Sequence, residues 1–435
     1  MAPSLATVAG AAAAALSAAV LVGAQSVGPT KEVHPRLTTW KCTTSGGCKS
    51  QNTALVIDSL AHPLSQRDNP SRNCGDWGQA ANSTVCPDLA TCQKNCVMDG
   101  VSDYTTHGIF TSGGAVTLKQ LHPQGKWVVS PRVYLLAEDE QEYEMIQLTG
   151  QEFTFDVDVS KLPCGMNGAL YLSEMEADGG KKSEPLNEGG AFMGTGYCDA
   201  QCFTTPFING VGNLDGSGSC CNELDIWEAN SAAESIAPHT CNKPRLSKCK
   251  GAQCEFEGDC DKWGCSYKPY QFGNTRHYGR GRNFRVDTTR PFTVVTQFPA
   301  NSNGVLQEIR RIYVQDGVQI PQAPVNMASL PPGLNTLNQA FCDANPGATR
   351  RFNELGGLKG MGEAMARGMV LALSIWWSDS DNMNWLDSPP CSPDEGSPSN
   401  IVKVEPDPSV VFSNIKWGDI GSTFQGRVPN RQRRV

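Results

Sequence analysis

The stretch SCCNELDIWEANS, residues 219–231, sets three carboxylates, Glu223, Asp225 and Glu228, within six residues of an otherwise apolar or small run. Two glutamates brought together in a cleft are the equipment for breaking a glycosidic bond. At about 5 to 5.5 Å apart, one attacks the anomeric carbon while the other protonates the leaving oxygen; at about 6.5 to 9.5 Å they hold a water between them and invert the configuration. A strand places residues two apart on one face, so Glu223 and Asp225 share a side. Glu228 has the wrong parity, and in a straight strand it would lie roughly 16 Å from Glu223. A bulge or bend near Trp227 would correct the parity and shorten the distance. Asp225, beside Glu223, could share a proton or hydrogen bond with it and fix its orientation. Like charges so close also force their pKa values apart, which keeps one site acid protonated. The plainer readings of the same three acids are an acidic edge strand or a set of calcium ligands.

The elements that must position these groups read as strands. FTFDVDV (153–159) alternates apolar and polar without a break, as a strand with one buried face does. Residues 292–298 are a second candidate, and 309–314 run into the turn residues Gln315-Asp316-Gly317. MVLALSIWW (369–377) and 410–417 add two more. Residues 357–367 could form one short helix, although three glycines weaken it. Many short strands joined through turns, with 44 glycines and 28 prolines spread along the chain, predict an all-β sandwich of two large antiparallel sheets.

Residues 1–24 carry no charge, and 8–22 are almost wholly Ala, Leu, Val and Gly. Despite a missing basic n-region, they read as a signal peptide, with Gln25 opening the mature chain. The alternative, a membrane anchor, is disfavoured because the run is poor in large apolar side chains and no second stretch approaches ~20 apolar residues. All 18 cysteines follow residue 41, an even number in a chain bound for an oxidising compartment, so up to nine disulfides are expected. Metal binding competes weakly: spacings such as Cys86-x5-Cys92-x3-Cys96 are irregular and no histidine cluster accompanies them. Asn82-Ser83-Thr84 is a glycosylation sequon in a polar setting. A net charge of −8 argues against nucleic acid or an anionic membrane as partner. The basic tail, Arg427 with Arg431, Arg433 and Arg434, reads as a solvated terminus. With no linker-like or repeated tract, residues 25–435 are expected to form a single catalytic domain.

CCNELDIWEAN (220–230) closely resembles the active-site strand of the fungal family 7 glycoside hydrolases, the cellobiohydrolases and endoglucanases acting on cellulose. Residues 31–39 (KEVHPRLTT), 194–202 (GTGYCDAQC), 385–388 (WLDS) and 412–418 (FSNIKWG) are similar to further segments of that family, in the same order. The resemblance spans roughly residues 31 to 424. It implies a concanavalin-like jelly-roll sandwich with disulfide-tied loops, and hydrolysis with retention through a covalent glycosyl-enzyme. By position it implies Glu223 as nucleophile, Glu228 as acid/base and Asp225 as the assisting carboxylate. It places His239 near the leaving-group side, with Tyr171, Asp199 and Gln201 lining the sugar sites; a strand could present Asp199 and Gln201 to one face. Trp376 and Trp385 correspond to the family's platform tryptophans on the two sides of the cleavage point. Trp377, adjacent to Trp376, should face the opposite way and pack in the core or rim.

The resemblance also implies the pairings Cys42–Cys48, Cys74–Cys96, Cys86–Cys92, Cys164–Cys391, Cys198–Cys221, Cys202–Cys220, Cys241–Cys260, Cys249–Cys254 and Cys265–Cys342. No cofactor and no required metal are expected. Compared with the tunnel-forming cellobiohydrolases, residues 56–63 (VIDSLAHP) lack a tryptophan, only 211–219 separate FING from Cys220, and the 254–260 loop (CEFEGDC) is short and lacks their product-side arginine. A cleft with fewer lids can bind the middle of a chain, and neither a linker nor a cellulose-binding module is expected. The expectation is therefore a secreted, extracellular, monomeric endo-β-1,4-glucanase acting on cellulose and other β-glucans. An exo-acting cellobiohydrolase is the nearer alternative, and a non-catalytic carbohydrate-binding sandwich the remote one.

Overall fold

Eleven strands carry the architecture: β1 (Arg36–Thr43), β2 (Gly47–Ile57), β3 (Arg132–Leu136), β4 (Gln151–Asp158), β5 (Met166–Ser173), β6 (Glu223–Ala229), β7 (Glu234–His239), β8 (Phe292–Gln297), β9 (Glu308–Gln315), β10 (Met369–Trp377) and β11 (Ser409–Asp419). They come from a computed structural model that describes residues 26–345 and 350–428. The expected signal peptide and residues 431–434 of the basic tail lie outside the described residues.

In space the strands follow the order β7-β6-β5-β10-β3-β2-β1-β11-β4-β8-β9. Neighbours are antiparallel except β1 and β11, which pair in parallel through Trp40 and Lys416. The two expected sheets are thus two halves of one continuous hydrogen-bonded ribbon. A twisted sheet this wide curls over rather than staying open. Trp227 on β6 shows the closure: its ring meets Phe155 on β4, Phe292 on β8 and Tyr313 on β9 at centroid distances of 5.9 to 6.5 Å. The two ends of the ribbon therefore face each other across a shared apolar core, as in a jelly-roll sandwich.

MVLALSIWW lacks alternation because β10 is covered on both faces. Leu371, Leu373 and Ile375 join the core between the sheet halves. Val370 and Ala372 join a second cluster with Tyr134, Ala169 and Tyr171 on the concave side. The helix Gly357–Arg367 forms in spite of its glycines. Leu358, Met361, Ala364 and Met365 recur at helical spacing and are buried, so tertiary packing outweighs propensity. Gly362 is itself a packing requirement: a Cβ there would stand 2.6 Å from Leu306.

Nine disulfides join the pairs that the resemblance implies, and no cysteine is free. The sulfurs of Cys86, Cys92 and Cys96, which lie close together in space, are all taken up in these bonds. Cys198–Cys221 and Cys202–Cys220 fasten the 198–202 turn directly to the residues preceding β6. Cys198–Cys221 closes 23 residues of chain, which corresponds to roughly 3 kcal/mol of stabilisation. Replacing both of its cysteines by serine is expected to lower Tm and to lower activity at temperatures where the sheet remains folded. Paired circular-dichroism melts and activity assays check this; activity that tracks the melt alone would contradict the bracing role.

Candidate active site

Parity is corrected where β6 bulges. Against β5, Leu224 pairs with Leu172 and Trp227 with Leu170; against β7, Asp225 pairs with Ala237 and Glu228 with Ser235. In each case three steps on β6 oppose two on the neighbour, which is one extra residue. Leu224, Ile226, Trp227 and Ala229 all enter the core, so two consecutive side chains, Ile226 and Trp227, point inward. Glu228 returns to the side of Glu223 and Asp225. The physical problem posed by the spacing is solved by the device the spacing required.

Each acid has a distinct partner. The backbone amide of Ala200 donates to Glu223 Oε2 at 3.0 Å. The Asn167 side-chain amide donates to Glu228 Oε1 at 2.9 Å. Asp225 Oδ2 lies 3.0 Å from His239 Nε2, and His239 Nδ1 lies 2.9 Å from the Asp261 carbonyl. Both imidazole nitrogens face acceptors, which suits the doubly protonated ring. Burial pulls the His239 pKa down, but the bond to Asp225 and the charges of Asp225 and Glu223 raise it to about 10. The hydrogen-bonded partner of Asp225 is thus His239, which also stands opposite Glu223 in register.

Burial, then the charges of Asp225 and Asp199, push Glu223 well up, against the pull of His239 and the Ala200 amide. Burial and Asp225 push Glu228 up to about 8, with Asn167, His239 and Lys268 opposing. The cluster therefore retains a proton at neutral pH, as a site that must offer one requires.

That shift has a consequence for stability. An unfolded glutamate ionises near pH ~4.3, whereas folded Glu228 holds its proton to about pH 8. Across that window the unfolded chain loses a proton that the fold keeps, so the fold weakens as pH rises. Glu228→Gln has no such proton. Its Tm is expected to exceed that of the unmutated protein at pH 8, and the gap to close toward pH 4. Thermal melts at both values test this; an offset independent of pH would contradict it.

The sugar-binding candidates divide. Tyr171 is buried on the concave side of β5, its hydroxyl 3.1 Å from that of Tyr197, which donates to Asp199 Oδ2 at 2.8 Å. Asp199 and Gln201 do not lie on a strand. They occupy a tight turn in which Asp199 Oδ1 accepts from the Cys202 amide at 3.0 Å, and Cys202 has a φ of 57°. Two disulfides within five residues impose the turn. Gln201 reaches the Lys262 carbonyl at 2.9 Å, away from the bonds of Asp199. The rings of Trp376 and Trp385 lie 6.3 Å apart between centroids, with their planes at 27°. Trp377 packs against the core from the other face of β10. Asn82, Ser83 and Thr84 are exposed.

Three contributors escaped the sequence reading. Asn167 shares its face of β5 with Tyr171, and the alternation in MNGALYLS carries that signal. Arg132 lies 3.5 Å from the centroid of the Tyr197 ring and 5.0 Å from that of Trp77. Lys268 bonds the Trp385 carbonyl and lies 5.3 Å from its ring centroid. Neither cation falls in a motif, and both come from segments distant in sequence from β6.

The sequence model of glycosyl hydrolase family 7 matches residues 27–424. Endoglucanase EG-1 of Humicola insolens is 54% identical over 409 residues, 93% of this chain and 93% of that one. The native structure of the Humicola insolens endocellulase EGI superposes with a TM-score of 0.89 at 54% identity, covering 92% of this chain and 100% of that one. A family 7 cellobiohydrolase from Daphnia pulex is more distant, with a TM-score of 0.84 at 36% identity over 92% of this chain and 100% of its own. With the matched model spanning nearly the whole chain, the protein belongs to glycosyl hydrolase family 7.

Proposed function

We propose that the chain is an endo-β-1,4-glucanase that cleaves internal bonds of cellulose and related β-glucans with retention, using Glu223 as nucleophile and Glu228 as acid/base. The observation that carries this is the bulge in β6, which returns Glu228 to the face of Glu223. Glu223 attacks the anomeric carbon while Glu228 gives its proton to the departing glycosidic oxygen, leaving a glycosyl ester on Glu223. Glu228, now charged, removes a proton from water, which opens the ester and restores both groups. The pressure toward protonation on Glu228 serves the first step, while His239 and the Ala200 amide pull Glu223 back toward the carboxylate that attacks. The Ala200 amide holds one nucleophile oxygen in place, and the Asp225–His239 pair fixes charge beside it.

Tyr171, Asp199, Gln201 and His239 offer the donors and acceptors that sugar hydroxyls need, while Trp376 and Trp385 offer flat apolar faces to the rings. The endo assignment follows the short connections around the cleft and the greater likeness to endoglucanases than to cellobiohydrolases. Nine disulfides fit an oxidising compartment. Secretion after removal of residues 1–24, a monomeric domain over 25–435 and a glycan on Asn82 complete the reading. Among the described residues no helix is long and apolar enough to cross a membrane. Digestion of soluble carboxymethyl-cellulose tests the endo mode. Viscosity should collapse before many reducing ends appear; ends accumulating with little loss of viscosity would contradict it.

A further inference from the structure

Ile226 is in register with neither neighbour of β6: the pairing with β5 skips from Leu224 to Trp227, and the pairing with β7 skips from Asp225 to Glu228. Its carbonyl is taken by a side chain from the opposite half of the sandwich, Nη2 of Arg311 on β9. Arg311 is 4% exposed. Its Nε donates to Thr296 Oγ1 on β8 at 3.1 Å, and its Nη1 faces Glu234 Oε2 at 3.7 Å. Glu234, itself buried, opens β7 and accepts from the Tyr313 hydroxyl at 2.7 Å and from Gln322 at 3.3 Å. The guanidinium carbon also lies 5.6 Å from the centroid of the Trp227 ring. One cation therefore contacts the extra residue's carbonyl, the bulge's aromatic side chain and the carboxylate at the start of the adjoining strand. A buried ion pair is a costly way to stabilise a core, and apolar residues of similar volume often do as well. What the pair supplies here is a donor for one specific carbonyl.

We propose that Arg311 is a positioning residue for the acid/base: by binding the Ile226 carbonyl it holds the bulge and keeps Glu228 on the face of Glu223. This rests on the assignment of Glu228 as acid/base. Without the donor, β6 gains by relaxing toward regular pairing, and a one-residue slip moves side chains to the other face. The loss should therefore fall on proton delivery to the leaving group.

The test is kcat/KM for a series of aryl cellobiosides with leaving groups of graded acidity, measured for the unmutated enzyme, Arg311→Lys, Arg311→Met and Glu228→Gln. For Arg311→Met the expected loss is about 100-fold on the least acidic leaving group, the scale for a misplaced catalytic group, and several-fold or less on a dinitrophenyl leaving group. Arg311→Lys should fall between it and the unmutated enzyme. A loss equal across the series, even with a lowered Tm, would overturn the proposal, because a general weakening of the fold does not distinguish leaving groups. If Arg311→Met fails to fold, Arg311→Lys and Glu234→Gln carry the same comparison. Glu228→Gln separates the two claims. A steepened dependence there with none in the Arg311 variants sinks the positioning role alone, and no steepening in Glu228→Gln sinks the acid/base assignment and the proposal with it.

Discussion

Glu223→Gln is expected to lose about 10^4-fold or more of the hydrolysis of every β-glucoside, whatever the leaving group. An amide cannot form the glycosyl ester, and an acidic leaving group does not compensate for a missing nucleophile. The surroundings of the residue support a clean loss. The side chain is buried, its Oε2 is already held by the Ala200 amide, and the turn carrying Ala200 is fastened by two disulfides. Glutamine can keep an acceptor oxygen toward that amide, so the variant should fold. Azide should restore turnover only by direct displacement, giving an α-glycosyl azide. Hydrolysis rates on cellulose and on a dinitrophenyl cellobioside check this, and retention of more than a few per cent on either would contradict the nucleophile assignment.

Glu228→Gln is expected to separate the two chemical steps. Proton transfer by a positioned group contributes about 10^2- to 10^4-fold, so hydrolysis of cellulose should fall on that scale. With a dinitrophenyl leaving group, ester formation should be nearly spared and water attack should become slow, because no base remains to activate it. A burst of released phenol followed by slow turnover is the expected time course. Azide needs no general base, so it should restore turnover and yield a β-glycosyl azide. If Glu223→Gln yields the β-glycosyl azide and Glu228→Gln the α-glycosyl azide, the two roles are exchanged.

Much of this site was legible because strand parity is a rigid rule. Glu223 and Asp225 had to share a face, Glu228 had to be brought back, and a bulge beside Trp227 was the economical device. The sequence could not say what holds the bulge. Arg311 lies 85 residues from Ile226, and nothing in the alternation of EIRRIYVQ distinguishes an inward arginine from an outward one until its partner strand is known. The strands over 153–159, 292–298 and 369–377 were readable from apolar content and β-branched or aromatic side chains. Their joining into one folded ribbon was not, because the parallel β1–β11 pair links the two ends of the chain. The 198–202 turn defeated a reading by parity because its geometry is set by disulfides and by Asp199 bonding its own backbone. The closeness of Trp376 and Trp385 was equally hidden. Eight residues of intervening chain bend back and stack the two rings.

Retention requires Glu223 and Glu228 to act from opposite sides of one bond in two successive displacements. The anomeric configuration of the first product reports that geometry without any mutation. Proton NMR of a cello-oligosaccharide digest, recorded within minutes of adding the unmutated enzyme and before mutarotation, should show the β-anomer appearing first and the α-anomer growing in later. Initial formation of the α-anomer would mean a single displacement by water, and would contradict the covalent intermediate on Glu223.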